Sequence, residues 1–505
     1  MAERAQVLVM YTGGTIGMQR TERGYAPAPG LLGRQLSRMP MFQDPTRPRG
    51  TMPRSKFGRH VRWHLKEYSP LLDSSNMDMS DWVRLAREVE RFYGDYDAFV
   101  ILHGTDTMAY SASALSFMLR NLGKPVVITG SQIPLVETRN DALDNLLGAL
   151  TIAGHFRIPE VSLYFHHKLM RGNRTRKMDA SGLDAFQSTN FPPLAEVGTG
   201  IDVAWHRVRR MPRAPLLVRP ITERNVASLR IFPGITAEIM HNFLQPPLRG
   251  VVLETYGSGN VPDIRPDFLE VLRRATASGI VVVNCTQCPK GGVSPDYVGG
   301  KALTEIGVIS GADMTPEAAL TKLAYLLSRQ ELSTAEVRRW MATDLRGEMT
   351  PPDTRTRFDF ADSRFVREVA SALSHGEGQL EARHQVNRAL LPVVLCAAAG
   401  HGDLATVQAL LDEGADPDMA DYDGRTPLHI AAAQGQLEMC RYLIGQGADL
   451  TARDRWGHLP LDDARRGEHA AVATMLEGAA GSAAETRLEP LSMRPFEELT
   501  PFEKK

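Results

Sequence analysis

Short apolar runs alternate along this chain with longer stretches in which apolar residues recur every three or four positions. Residues 7–11, 98–102, 126–129 and 161–165 are almost wholly apolar, which predicts strands buried on both faces. Residues 81–93, 108–122 and 141–153 carry the helical period and predict helices between or after them. After a break, strands are expected over 226–232, 251–256 and 280–284, with helices over 266–278 and 316–327. The alternation argues for an α/β fold with a parallel sheet covered by helices.

The break is 207–220, with three prolines and five arginines. It reads as an interdomain linker whose basic run lies in solvent. A second linker is expected over 346–388, headed by Thr350-Pro351-Pro352-Asp353.

Beyond it the chain repeats itself. Gly414-Ala415-Asp416 returns 33 residues later as Gly447-Ala448-Asp449. Thr426-Pro427-Leu428-His429 aligns at the same spacing with Leu459-Pro460-Leu461-Asp462. The period and the T-P-L-H string resemble the ankyrin repeat, which implies about three stacked helical pairs over 389–480. Outer repeats depart from the signature because they cap the stack. Residues 481–505 read as a flexible tail.

A chain of 505 residues exceeds what one ordinary core needs. The net charge of −1 supplies no field toward nucleic acid or anionic membrane, so neither is an expected partner. Four cysteines make no disulfide framework, and neither a signal peptide nor a spanning run is evident. The expectation is a cytoplasmic protein. Cys285 and Cys288 form a single C-x-x-C without two further ligands at zinc spacing, so no metal or other cofactor is expected.

Four strings bear on chemistry. In Thr12-Gly13-Gly14-Thr15-Ile16-Gly17 a strand opens into a glycine loop that carries hydroxyls. The loop reads as a tight turn, a phosphate cradle or a nucleophile. Its glycines miss the dinucleotide spacing, and Met18 stands where a P-loop needs lysine. His103-Gly104-Thr105-Asp106-Thr107 also follows a buried strand, and reads as a helix cap or a ligand crevice. Tyr68-Ser69-Pro70-Leu71-Leu72-Asp73-Ser74-Ser75-Asn76-Met77 reads as a loop, either a polar turn or a pocket for a small zwitterion. In Arg171-Gly172-Asn173-Arg174-Thr175-Arg176-Lys177 the lysine is either solvated or, beside an acid, a proton carrier.

Taken in order, Y-T-G-G-T-I-G, D-S-S-N-M, H-G-T-D-T-M-A-Y and T-G-S-Q-I-P-L resemble the cytosolic type I L-asparaginases. The resemblance covers roughly residues 1–345. The ankyrin-like segment is similar to that of animal asparaginases of this type, some of which are named lysophospholipases. The implied architecture is a catalytic N-terminal domain over 1–206, a linker over 207–222, and a C-terminal domain over 223–345.

The implied reaction is hydrolysis of L-asparagine to aspartate and ammonia through a β-aspartyl ester on Thr15. Tyr25 matches the tyrosine that takes the proton of Thr15. Thr105, Asp106 and Lys177 match a second triad, with Asp106 also receiving the substrate ammonium. Asp73, Ser74 and Ser75 match the pocket for the carboxylate end. Ser131 matches a position whose backbone carbonyl meets the leaving amide. A homodimer or homotetramer is implied, with a protein partner for the repeats. Glutamine hydrolysis, lysophospholipid ester hydrolysis and an inactive ankyrin scaffold are the competing functions. No G-x-S-x-G elbow supports the ester reading.

Bacterial type I enzymes can carry an activating asparagine site with an arginine ahead of Y-G-x-G-N. Here Glu254 holds that position, ahead of Tyr256-Gly257-Ser258-Gly259-Asn260. A carboxylate has no donors for an effector carboxylate. The expected rate curve against asparagine is therefore hyperbolic, and steady-state kinetics showing a clear sigmoid would contradict this.

Overall fold

The computed structural model describes residues 4–22, 24–212, 214–294, 298–350, 379–412 and 415–485. Two compact units divide the chain at 353/354.

The first unit is built on an eight-stranded sheet. Its strands are β1 (Arg4–Gly13), β2 (His60–Leu72), β3 (Ala98–Leu102), β4 (Val126–Thr129), β5 (Val161–Phe165), β6 (Lys168–Arg171), β7 (Ala195–Val197) and β8 (Ile201–Val203). The spatial order is β8-β7-β6-β5-β4-β3-β1-β2. From β2 to β5 the strands run parallel, and β6 to β8 extend the sheet antiparallel.

Side chains alternate across these strands. Leu8, Met10, Phe99 and Ile101 pack against α1 (Met79–Arg91) and α2 (Met108–Met118). Val7, Val9, Tyr11, Val100 and Leu102 pack against α3 (Ala142–His155) on the other face. Both faces are thereby covered, which is why the strand sequences are apolar without interruption.

A four-stranded parallel sheet follows, with β9 (Val226–Arg230), β10 (Gly250–Thr255), β11 (Val281–Thr286) and β12 (Ile309–Ser310) in that order. One of its faces packs on α4 (Pro266–Ala277). The other packs on α5 (Pro316–Leu327), and this core runs on into that of the larger sheet through α2. Ring contact between Phe117 and Tyr325 marks the join.

Two expectations are corrected within this unit. The stretch around Tyr68 is the end of the edge strand β2, rather than part of a loop. Its mixed polarity follows from having a neighbour on one side only. The basic run at 207–210 is engaged rather than free. Arg207 donates to the Pro193 carbonyl, while the Arg209 main chain donates to Glu160 and its side chain to the Leu345 carbonyl.

Residues 344–350 also pack into the first unit, although the second linker was expected to begin at 346. Glu348 is wholly buried there and pairs at 2.5 Å with Lys322 of α5, itself wholly buried. Lys322 donates further to the Met341 and Thr343 carbonyls, and Glu348 accepts from the main chain at Leu345 and Arg346. Linker residues 351–378 lie outside the described residues.

In the second unit a helix spans Gln379–His401, followed by Leu404–Asp412, Pro427–Ala433, Leu437–Gly445, Pro460–Arg466 and Ala470–Glu485. Thr426 and His429 close a capping box at one helix start, and His429 reaches the His458 carbonyl of the next repeat. The tail from 486 lies outside the described residues. No described helix is long and apolar enough to cross a membrane.

Burying a charge without its partner is costly, typically about 3–5 kcal/mol. Lys322→Met strands the Glu348 carboxylate, so a loss of this order is expected in denaturant unfolding. Adding Glu348→Gln should recover part of it.

Candidate active site

The parallel strands β1 to β4 end at one edge of the large sheet, since Gly13 aligns with Leu72, Tyr11 with Leu102, and Leu102 with Thr129. The loops that leave them meet backbone to backbone. Gly14 has φ +83°, and a Cβ there would lie 2.5 Å from both N and Cα of Gly104. A Cβ on Gly104 would lie 2.5 Å from the Ser74 hydroxyl. Only glycine permits this approach. It sets the loops of Thr15, Ser74 and Thr105 side by side at the carboxyl ends of the strands, where parallel sheets form ligand crevices.

Thr15 opens the short helix Thr15–Gly17 and is partly exposed. The turn is tied down where the Leu135 N–H donates to the Ile16 carbonyl. Thr12 points away, with its hydroxyl buried on the Leu102 carbonyl. Asp73 accepts from the Ser75 N–H and so shapes its loop, while Ser74 is buried and its carbonyl accepts from the Thr107 hydroxyl. Ser131 is buried and donates to the Ile133 carbonyl.

Thr105 is nearly buried at the end of β3. Lys177 donates to its hydroxyl at 2.9 Å and to Asp106 Oδ1 at 2.7 Å. The lysine side chain is 19% exposed and the Asp106 side chain 61%. The first is shielded while the second faces the open side of the crevice. Lys177 and Asp106 stand 71 positions apart in the chain.

Tyr25 lies in the hairpin formed by Met18–Thr21 and Gly24–Pro27. It is half exposed, and its hydroxyl donates to Glu137 at 2.7 Å. That bond holds the phenol pKa up. A bond to Thr15 is not among its described contacts.

Three further residues hold the site in place. Gln132 accepts from the Thr105 hydroxyl at 3.1 Å and donates to the Gly182 carbonyl. Asp141 holds the Gln132 and Ile133 N–H groups, which fixes the turn after β4. Glu137 holds Tyr25. Gln132 stood inside the quoted T-G-S-Q-I-P-L string, whereas Asp141 and Glu137 had no local signal.

His103 lies beneath the crevice, fully buried, with its ring nitrogens on the Gly104 carbonyl and the Ser111 hydroxyl. Away from the crevice, Glu254 is held by the Ser228 hydroxyl and lies 3.9 Å from Arg230. Burial pushes the Cys285 thiol up to about 12, and Cys288 is exposed.

Two parallel-rich sheets joined through one core, with hydroxyls and a lysine–carboxylate pair at the strand ends of the larger one, define the class as a two-domain α/β protein. The particular family follows from comparison with known proteins. Residues 6–209 match the family "Asparaginase, N-terminal" and 225–341 match "Glutaminase/Asparaginase C-terminal domain". Residues 393–483 match "Ankyrin repeats (3 copies)". L-asparaginase 1 of Escherichia coli is 51% identical over 357 residues, covering 70% of this chain and all of that protein. The 60 kDa lysophospholipase of Mus musculus is 44% identical over 442 residues, covering 86% of this chain and 77% of that one. The crystal structure of L-asparaginase I from Vibrio cholerae superposes with a TM-score of 0.62 at 47% identity, covering 69% of this chain and 99% of that one. The chain belongs to the asparaginase family, with ankyrin repeats following the asparaginase domains.

Burial holds the His103 pKa down from 6.5 to about 4. Between these values the unfolded chain binds the proton and the folded one does not, so this contribution is complete above 6.5 and fades toward 4. At about 1.4 kcal/mol per pKa unit, roughly 3 kcal/mol is lost on acidification. Urea unfolding of His103→Gln should show a flatter profile across that window; an unchanged slope would contradict the assignment.

Proposed function

We propose that this protein hydrolyses L-asparagine to L-aspartate and ammonia at the crevice between the β1 and β3 loops, without a cofactor. The observation that carries the reading is the Thr105–Lys177–Asp106 chain of hydrogen bonds beside the Thr15 turn. A neutral hydroxyl is a poor nucleophile near pH 7 and needs a base. The Thr15 hydroxyl attacks the side-chain amide carbon; its proton passes to the Tyr25 oxygen while Tyr25 gives its own to Glu137, and the tetrahedral oxyanion lies against main-chain N–H at Thr105. Collapse breaks the C–N bond. The leaving nitrogen takes that proton back through Tyr25 and departs as ammonia past the Ser131 carbonyl. Water then opens the β-aspartyl ester: its proton enters the Thr105–Lys177 relay and is returned to the Thr15 oxygen, which leaves as the hydroxyl.

The substrate ammonium pairs with Asp106, and its carboxylate end lies in the Asp73–Ser75 loop. For Tyr25 to serve Thr15 it needs an acceptor for its own proton, and the Glu137 carboxylate that already holds its hydroxyl is that acceptor. Assembly as a homodimer or homotetramer, a cytoplasmic location and a protein partner for the repeats belong to the same proposal. Glutamine is the nearest competitor: one methylene gives about 10–200-fold discrimination in an apolar pocket. Relatives named lysophospholipase raise an ester substrate, yet Asp106, Lys177 and Ser74 make a polar crevice ill-suited to an acyl chain.

The deciding experiment is ammonia release from asparagine and glutamine by the intact protein. Thr15→Ala should lower kcat for asparagine by at least about 10³-fold with folding intact. Equal kcat/KM for the two amides would remove the asparagine assignment, and Thr15-dependent release of fatty acid from lysophosphatidylcholine would favour the ester reading.

A further inference from the structure

Lys177 sits on a two-residue strand, Arg176–Lys177, paired with Phe186–Gln187. Thr175 before it is extended, with φ −104° and ψ 141°. Successive side chains therefore point to opposite sides. Thr175 and Lys177 turn into the large-sheet domain, where Thr175 donates to the Arg171 carbonyl and Lys177 reaches Thr105 and Asp106. Arg174 and Arg176 turn the other way, onto the start of α5 in the second domain.

Arg174 is 2% exposed and grips Asp313 with both prongs, at 2.9 and 3.1 Å. It also donates to the Glu348 carbonyl and the Thr350 hydroxyl, and Thr350 in turn donates twice to Asp313. Arg176 lies 3.3 Å from Glu317, whose own setting is mostly buried. Glu317 stands in the first turn of α5, which Thr315 caps through the Ala318 N–H. That helix end favours negative charge. Planar guanidinium–carboxylate pairs fix direction as well as distance.

We propose that Arg174 and Arg176 are positioning residues for Lys177. By fastening its strand to Asp313 and Glu317, they make the second domain set the reach of the ammonium to Thr105. The proposal rests on Lys177 acting as the proton relay. Neither arginine is within the crevice, so substrate binding should change little when the clamp is loosened. A displacement near 1 Å at a catalytic group can cost about 10²-fold in rate.

The test uses the full chain and ammonia release from asparagine. Lys177→Met is compared first with the parent; an unchanged kcat would remove the relay reading itself. With that variant slow, Glu317→Gln and Asp313→Asn should each lower kcat by about 10–100-fold while KM moves by less than about threefold. Placed in the Lys177→Met background, neither should slow the enzyme further, because they act through a lysine already gone. Parental kcat for both single variants overturns the clamp and leaves the relay standing. An equal loss in both backgrounds also overturns it, since a general structural role needs no lysine. Melting curves accompany each variant. Should Asp313→Asn melt early, Glu317→Gln carries the test, because it keeps side-chain volume.

Discussion

The contact of Gly14 with Gly104, and of Gly104 with Ser74, is the constraint on which the candidate site depends. The missing Cβ of Gly14 lets its loop lie main chain to main chain against Gly104, and that of Gly104 leaves room for the Ser74 side chain. A Cβ at either position would lie 2.5 Å from a neighbouring atom, so the loops would have to shift. The hydroxyls of three separate strand ends converge because these loops touch. The glycines are thus not incidental to turns; they set the width of the crevice.

Around that contact the protein spends its polar groups on holding loops still. Asp141 ties the turn after β4 through two N–H bonds, and Gln132 is thereby fixed against Thr105. The two sheets are joined by an apolar core between α2 and α5, and at its edge by the Arg174–Asp313 pair, with buried ion pairs on either side of it. Arg171 with Glu160, Arg174 with Asp313 and Lys322 with Glu348 are all largely removed from water. Such pairs gain little net stability over apolar contacts, but they tolerate only one arrangement. The arrangement they select is the one that carries the segment bearing Lys177.

Much of this was legible along the chain. The buried strands at 98–102, 126–129 and 161–165 stand where their apolar runs placed them. A strand covered on both faces has no alternation to confuse and no polar side to hide it. Edge strands and very short ones behave oppositely. β2 mixes His, Arg, Lys and Glu with apolar residues, and β7 and β8 have three residues each, so none announced itself. Likewise Glu348 reads as an ordinary linker charge until Lys322 is placed beside it.

What the sequence determined alone was local: strands from apolar runs, loops from glycine, a repeat from its 33-residue return, and a set of hydroxyls and charges whose order resembles a known family. Each of these is fixed by near neighbours, which is why composition and period suffice. Only the tertiary structure decided which groups meet. It set Lys177 on Thr105 and Asp106, turned Tyr25 to Glu137, and brought Gln132 to the triad. Those contacts join residues far apart in the chain, and depend on strand order and on where a Cβ is absent. No spacing rule encodes such meetings, because they are set by packing in space.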